Sequence, residues 1–447
     1  TYTLSGTAAV ESFSERHRLV VHDGSVQVTA LASPEQPDIG AVIAAIEQAG
    51  GVVQTWWGVQ VQALVPLNSL EWLAAQDPIL FIRRPLKPAP DVTTEGDVAI
   101  NADTYRAQLG TEGAGVKVAI LDLGFSGYPA LQTSGELPSS TIVQSFRSDT
   151  VIDGVTDHGT ACAEIVHDLA PGASYYFVNY GTDTEFYNAV DYLESEGVQV
   201  VSHSVSFFNA GPYDGNSSIS QRIDLARGNN ILWSNSAGNR GQQHWEGTYS
   251  GDTGNWHVWD GGVANVNQIG LLPANTLVTA YLSWNDWPLS SNNYDLFLVG
   301  WSESSNDWEP LAWSTGIQNG FQPPIEEIQF EIRDSINYGI VVANNDGTAE
   351  PMYLELFTTH QNLQFPVSEG SISNSGDSVG ALTVGAVNVG DYSNSGLEAF
   401  SGRGPTNALG GGAPDYGAGS RTKPDVVAPD NNSTVTYPSF SGTSASA

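Results

Sequence analysis

The spacing of apolar positions changes character several times along the 447 residues, and each change marks a block of structure. His17–Leu31 carries an extended β-like run. Pro37 precedes Ile39–Ala49, where apolar residues recur at helical spacing until Gly50-Gly51 closes the pattern. Val52–Trp57 and Val59–Pro66 read as a strand pair, Asn68 as the cap of a second helix through Ala75, and Pro78–Arg83 as a last strand. This βαββαβ order predicts a ferredoxin-like α+β unit. Residues 85–97, rich in Pro, Asp, Thr and Glu, read as an exposed linker.

From Ala99 the pattern becomes strand–helix alternation. Asp103–Leu109 reads as a short helix, and Val116–Leu121 as a continuous apolar strand of the buried parallel type, ending in Asp122. His158–Leu169, Phe186–Glu196 and Ile219–Gly228 are predicted helices; Ala173–Val178, Val198–Ser202 and Ile231–Ser234 are predicted strands. The expected fold class is α/β with a doubly wound, mostly parallel sheet, whose chemistry gathers beyond the carboxyl ends of the strands. Between Trp245 and Leu363 the helical period vanishes. Thr276–Trp284, Tyr294–Trp301, Glu326–Ile332, Tyr338–Asn344 and Met352–Thr358 predict an all-β sandwich or jelly roll. A buried strand returns at Ala381–Val387, and Thr434–Tyr437 reads as a strand leading toward the end. The β block is therefore an insertion. The expected domains are 1–97, 98–244, 245–363 and 364–447.

Composition narrows the partners. Fifteen Lys+Arg stand against 49 Asp+Glu, a net charge of -34, which argues against nucleic acid and anionic membrane surfaces. No apolar run is long enough to span a bilayer. The single cysteine, Cys162, excludes an internal disulfide and a cysteine-based zinc cluster, and the eight histidines lack a His-x-x-x-His spacing. No cofactor is expected in the chemistry. The chain begins at Thr1 without a leader and stops three residues after Ser444. It reads as a partial sequence, which leaves the activity of this stretch alone in question.

Phe440-Ser441-Gly442-Thr443-Ser444-Ala445-Ser446-Ala447 is a glycine-hinged turn that presents one hydroxyl, Ser444, at a helix N-terminus. Asp122 ends an apolar strand, where a carboxylate is poorly solvated and needs a partner. His158 opens a helix in Asp-His-Gly-Thr-Ala-Cys-Ala. Ser236-Ala237-Gly238-Asn239 is a strand-end turn able to aim an amide at a developing oxyanion. Serine, imidazole and carboxylate are the parts of a nucleophile, its base and the group that orients the base.

In the order Asp122, His158, Asn239, Ser444, these segments resemble the subtilisin-like serine proteases, the subtilases. The resemblance covers about residues 99–244 and 364–447 and includes Ser401-Gly402-Arg403-Gly404-Pro405-Thr406 and Lys423-Pro424-Asp425-Val426-Val427-Ala428-Pro429. It implies Ser444 as nucleophile, His158 as base, Asp122 as its orienter, and Asn239 with the Ser444 N–H as the oxyanion site. It implies a substrate-binding edge at Val201–Phe207, with Ser204, Val205, Ser206, Ala237 and Gly238 lining the pocket before the scissile bond. Arg240 suggests a preference for an acidic residue there. The short His158–Asn239 interval, 81 residues, lacks the usual calcium loop, while acidic turns of the β insertion are compatible with structural calcium.

The N-terminal unit resembles subtilase propeptides, which implies an intramolecular inhibitor and a linker held in the active-site cleft until it is cut. Cys162 resembles a buried thiol of the proteinase K-like branch and reads as core packing, and His203 as a packed residue. The expected protein is a secreted, monomeric serine endopeptidase made as a proenzyme, acting on protein or peptide substrates. The alternative is an inactive fragment or relative that binds peptides or glycans through the β insertion, which holds eight of the twelve tryptophans.

Overall fold

The structure, a computed structural model, describes residues 21–22, 24–32, 38–57, 60–83 and 94–447, with 345, 346, 348 and 395 excepted. Two compact units are present, Thr1–Pro90 and Asp91–Ala447.

In the first unit, β1 (Val21–His22), β2 (Ser25–Ala32), α1 (Ile39–Gln48), β3 (Val52–Trp57), β4 (Gln60–Pro66), α2 (Leu70–Ala74) and β5 (Ile79–Arg83) follow in order. The antiparallel sheet runs β3-β4-β2-β5, with β1 also on β2, which is the ferredoxin-like arrangement. Asp38 caps α1 by accepting from the Ala41 N–H at 2.9 Å. Val42 and Ile46 of that helix pack on Val28, Ala30, Val61 and Ala63, the inward-facing positions of the strands. Asn68 does not cap α2: it lies in a 3-10 turn, Leu67–Ser69, that leads into the helix. Residues 17–20 and 84–93 lie outside the described residues. The last part of the predicted linker is not exposed: Thr94 and Asp97 are buried. The Thr94 N–H donates to Asp168 at 2.6 Å, and Arg106 forks onto Asp97.

The second unit opens with α3 (Glu95–Ala99) and α4 (Ala102–Leu109), then β6 (Lys117–Asp122), α5 (Tyr128–Ser134), β7 (Thr141–Ser145), α6 (His158–Leu169), β8 (Ser174–Asn179), α7 (Asp183–Ser195), β9 (Val200–His203), α8 (Ser218–Gly228) and β10 (Leu232–Ser236). After an insertion come β19 (Ala381–Asn388), β20 (Val426–Asp430) and α9 (Thr443–Ser446). All seven strands are parallel, in the order β20-β19-β10-β9-β6-β8-β7. The chain reverses direction across the sheet around β6, so the crevice of this doubly wound fold opens beside its carboxyl end, at Asp122. Both faces of β6 are covered, which is why it reads as an unbroken apolar run.

The insertion holds β11 (His244–Thr248), β12 (Asn267–Leu271), β13 (Leu277–Trp284), β14 (Asp295–Ser302), β15 (Asp307–Ser314), β16 (Ile325–Glu331), β17 (Asn337–Ala343) and β18 (Tyr353–Thr358). They form two antiparallel sheets, β11-β18-β13-β16 and β12-β17-β14-β15, closed on a core that includes Trp245, Leu282, Trp284, Leu298, Ile340 and Leu356. β15 escapes a sequence reading because it contains Pro310. The proline sits at a register shift on the edge strand, where no ladder N–H is required.

Candidate active site

Asp122 is carried out of the core by β6 and is 1% exposed. Its Oδ1 accepts from the Leu123 N–H at 2.7 Å and its Oδ2 faces His158 Nδ1 at 2.8 Å. Gly159 makes this pairing possible. A Cβ there would lie 2.9 Å from the Asp122 Cβ and 2.6 Å from the Gly124 carbonyl, so the start of α6 approaches the end of β6 only with glycine beside the histidine. Burial opposes protonation of His158, and the charge and hydrogen bond of Asp122 outweigh it. The imidazole pKa is therefore raised above its ordinary value.

Thr434–Tyr437 is not a strand but a turn, closed by the Thr434 N–H on the Tyr437 carbonyl at 2.9 Å. The strand that leads toward Ser444 is β20. What holds the turn is Glu164, two residues past Cys162 on α6. Its carboxylate accepts from the N–H groups of Val435, at 2.6 Å, and Thr436, at 3.2 Å, and from the Thr436 hydroxyl at 2.5 Å. The Tyr437 hydroxyl donates to Asp157, and Phe440 stands edge-on to the His158 ring at 5.6 Å. Ser444, the second residue of α9, is half-buried, and its carbonyl lies 3.9 Å from the Cys162 sulfur. The serine's turn is thus anchored to the histidine's helix. Glu164→Ala strands several half-buried donors. It is expected to cost about 2 kcal/mol of stability, on a scale of about 1–3 kcal/mol for one such donor. Denaturant unfolding of the variant checks this, and an unchanged midpoint would remove Glu164 from the anchor.

Asn239 reaches the same turn from the end of β10. Its Oδ1 accepts from both the N–H and the hydroxyl of Thr443, each at 2.9 Å, while the Thr443 hydroxyl accepts from the Gly238 N–H at 3.1 Å. With its oxygen so occupied, the amide is oriented. Gly442, at φ +122°, lets the backbone pass: a Cβ there would lie 2.9 Å from Asn239 Nδ2. The Ser401–Thr406 motif braces this end of β10 and is itself joined to the Lys423–Pro429 motif. The Gly402 N–H donates to the Gly238 carbonyl at 2.7 Å and the Gly404 N–H to the Lys423 carbonyl at 2.8 Å.

Asp122 and His158 are therefore hydrogen-bonded, Asn239 and the Ser444 turn are joined through Thr443, and Phe440 and Cys162 hold that turn against α6. Thr443 is a positioning residue that the sequence reading overlooked; the signal was its place between the hinge glycine and the serine. Of the pocket residues, Ser206 and Gly238 meet. Ser206 Oγ accepts from Ser373 at 2.8 Å, and a Cβ on Gly238 would lie 3.4 Å from Ser206 Oγ and 3.5 Å from Ser373 Oγ. Ser373 was missed. Ser204 is half-buried, Val205 packs partly into the core under the sheet and Ala237 is wholly buried.

Val201–Phe207 is not an edge strand. β9 lies inside the sheet between β6 and β10, and only residues 204–206 leave it before Phe207 bridges Asn374. Arg240 also departs from expectation. Its guanidinium donates to Gln243 at 2.6 Å and to the Thr359 carbonyl, over the Phe208 ring, and burial lowers its pKa to about 10. These partners are in the insertion and its flank, so the side chain is committed there. His203 is packed, between the Tyr180 hydroxyl and Asn235. The tryptophans divide: Trp245, Trp259 and Trp284 are core, while Trp256 packs on Phe297 at 5.6 Å and lines, with Trp308, a surface groove of about 670 Å³.

A parallel doubly wound sheet with a buried carboxylate–imidazole pair and a serine turn at its carboxyl edge has the features of a serine peptidase. A family profile for Peptidase S8, the subtilase family, matches residues 113–447. The chain belongs to that family. Among solved structures it is similar to the CspB protease of Clostridium perfringens, at 15% identity, covering 79% of this chain and 85% of that one with a TM-score of 0.52. It also matches the epidermin leader peptide processing serine protease of Staphylococcus aureus, at 10% identity over 95% and 85% of the two chains with a TM-score of 0.35. A third match is MycP1 of Mycobacterium smegmatis, at 14% identity over 81% and 73% with a TM-score of 0.33. No curated protein matches the chain.

Proposed function

We propose that the protein is a secreted serine endopeptidase, made as a proenzyme, that hydrolyses peptide bonds through an acyl-enzyme on Ser444. The observation that carries this is the 2.8 Å contact of His158 Nδ1 with the buried Asp122, on the helix against which the serine's turn is anchored. Asp122 holds the proton on Nδ1, which leaves Nε2 to take the Ser444 proton and return it to the leaving amine. Asn239 and the Ser444 N–H receive the oxyanion, and residues around Ser206 and Gly238 receive the side chain before the scissile bond. Residues 1–97 act as the inhibitor, a reading supported by the ferredoxin-like topology of the described strands and helices between Val21 and Arg83, and residues 245–363 as an accessory domain between the two halves of the catalytic domain, 98–244 and 364–447. No described helix is long and apolar enough to cross a membrane. Chemistry without a cofactor, structural calcium at acidic turns and a monomeric state complete the proposal.

A fluorophosphonate probe tests it. Labelling that maps to Ser444, with casein hydrolysis and release of an N-terminal fragment, is the expected result; an unlabelled, correctly folded protein after removal of residues 1–97 would overturn it. Asn239→Ala is expected to lower kcat by about 10²–10³ with KM little changed. Thr443→Val, which removes only the hydroxyl that orients the amide, should cost less. Equal losses in the two variants would assign Asn239 to structure rather than to the oxyanion.

A further inference from the structure

β11 and β18 run antiparallel with Glu246 directly opposite Glu355 and His244 opposite Phe357. His244 and Glu246 are two residues apart on one strand, so they share a face, and it is the face opposite Trp245 and Leu356 of the sandwich core. It is buried too, covered by the α/β body of the same unit. The Phe357 ring lies 5.1 Å from Tyr213, and Asn407 of the motif-bearing loop donates to Glu355 at 2.5 Å. His244 is wholly buried and Glu355 nearly so, and Glu246 is 9% exposed.

Such a face normally carries apolar side chains. Here three polar atoms, His244 Nε2, Glu246 Oε2 and Glu355 Oε1, are buried without a hydrogen-bond partner, and the three residues can each bring one donor atom within 4.8 Å of the others. Each would ordinarily be a costly defect. Their other ends are fixed. His244 Nδ1 donates to the Val367 carbonyl at 2.7 Å, which sets the tautomer and leaves the lone pair on Nε2, 3.4 Å from Glu355 Oε1. The Tyr353 hydroxyl bonds Glu246, and Asn407 bonds the other oxygen of Glu355. Gly370, at φ +74°, closes over the cluster: a Cβ there would lie 2.1 Å from Glu246 Oε2.

We propose that His244, Glu246 and Glu355 bind one divalent transition-metal ion, of the zinc class, that ties β11 to β18 on the insertion face packed against the catalytic body. One neutral imidazole and two carboxylates supply a net charge of two, which the ion balances. The 3.4 Å separation of His244 Nε2 and Glu355 Oε1 matches the edge of about 3.4 Å in a tetrahedral site with bonds of about 2.1 Å. A donor ring held through its second nitrogen by a backbone carbonyl is the arrangement that metal-bound histidines adopt. Enclosure makes the site structural, filled during folding. The His-x-Glu spacing is short, but Glu355 is 109 residues further on, so only the strand register shows the site.

The competing account is a proton in place of the ion, since burial, reinforced by neighbouring carboxylates, pushes Glu246 up to about 7 and Glu355 well above the carboxylate range. Glutamine separates the two accounts because it mimics a neutral carboxylic acid. Protein produced in zinc-supplemented medium and dialysed against EDTA is expected to retain one zinc per chain by mass spectrometry. Glu355→Gln should lose it and melt several degrees lower. Wild type free of metal, or metal content and melting unaltered in Glu355→Gln, would overturn the proposal. If that variant does not fold, wild type produced with cobalt provides the readout: visible ligand-field absorption supports the site, and its absence overturns it.

Discussion

Ser444→Ala is expected to lower kcat against a peptide substrate by about 10⁶-fold, the scale found for the nucleophile of a subtilase, with KM changed little. The side chain is half-buried at the start of α9, and its turn is fixed by contacts that the hydroxyl does not make: Glu164 to residues 435 and 436, Tyr437 to Asp157, and Thr443 to Asn239. Removing one oxygen leaves that frame in place, so the loss should be confined to turnover. The residual rate over the uncatalysed reaction, about 10³–10⁴-fold, belongs to the oxyanion donors and to substrate binding. Steady-state kinetics with a chromogenic peptide, beside a thermal melt, make the measurement. A folded Ser444→Ala protein that retained a tenth of wild-type turnover would end the case for this serine.

The parts of the site that could be read from sequence are those where chemistry and local pattern coincide. Asp122 was visible because an ionisable group ended an apolar run, and His158 because the glycine after it is demanded by close approach of α6 to β6. The ferredoxin-like and parallel-sheet patterns were legible for the same reason: burial on one or both faces writes a period into the chain. Ser373 and Thr443 were hidden because their roles depend on what stands opposite. Ser373 follows Gly238 by 135 residues, with the whole sandwich between them, and only the sheet topology returns it to Ser206. Arg240 was misread for the converse reason. Next to Asn239 in sequence, it points into the insertion because the Thr359 carbonyl and the Phe208 face capture it. Val201–Phe207 failed as an edge strand since β10 and β19 lie beyond β9 in the sheet, a crossover that local pattern does not encode.

Asp122→Asn is expected to lower kcat by about 10⁴-fold and to move the acid limb of kcat/KM downward. The first effect follows from which atom the amide presents. The Leu123 N–H donates to Oδ1 of Asp122 and would hold the amide oxygen of the variant, turning its NH₂ toward His158 Nδ1. Nδ1 must then accept, the ring proton moves to Nε2, and the nitrogen that should take the Ser444 proton is already occupied. The second effect follows from charge. In the wild type burial disfavours the imidazolium, and the Asp122 charge and hydrogen bond reverse that, raising the His158 pKa above its ordinary value. Only neutral His158 accepts a proton, so activity is present above that pKa and lost as pH falls through it. Without the carboxylate charge, burial remains, and the residual activity should persist to lower pH than in wild type. Profiles of kcat/KM against pH for both proteins decide the matter. An acid limb at the same pH in the variant would mean that Asp122 does not set the charge state of His158.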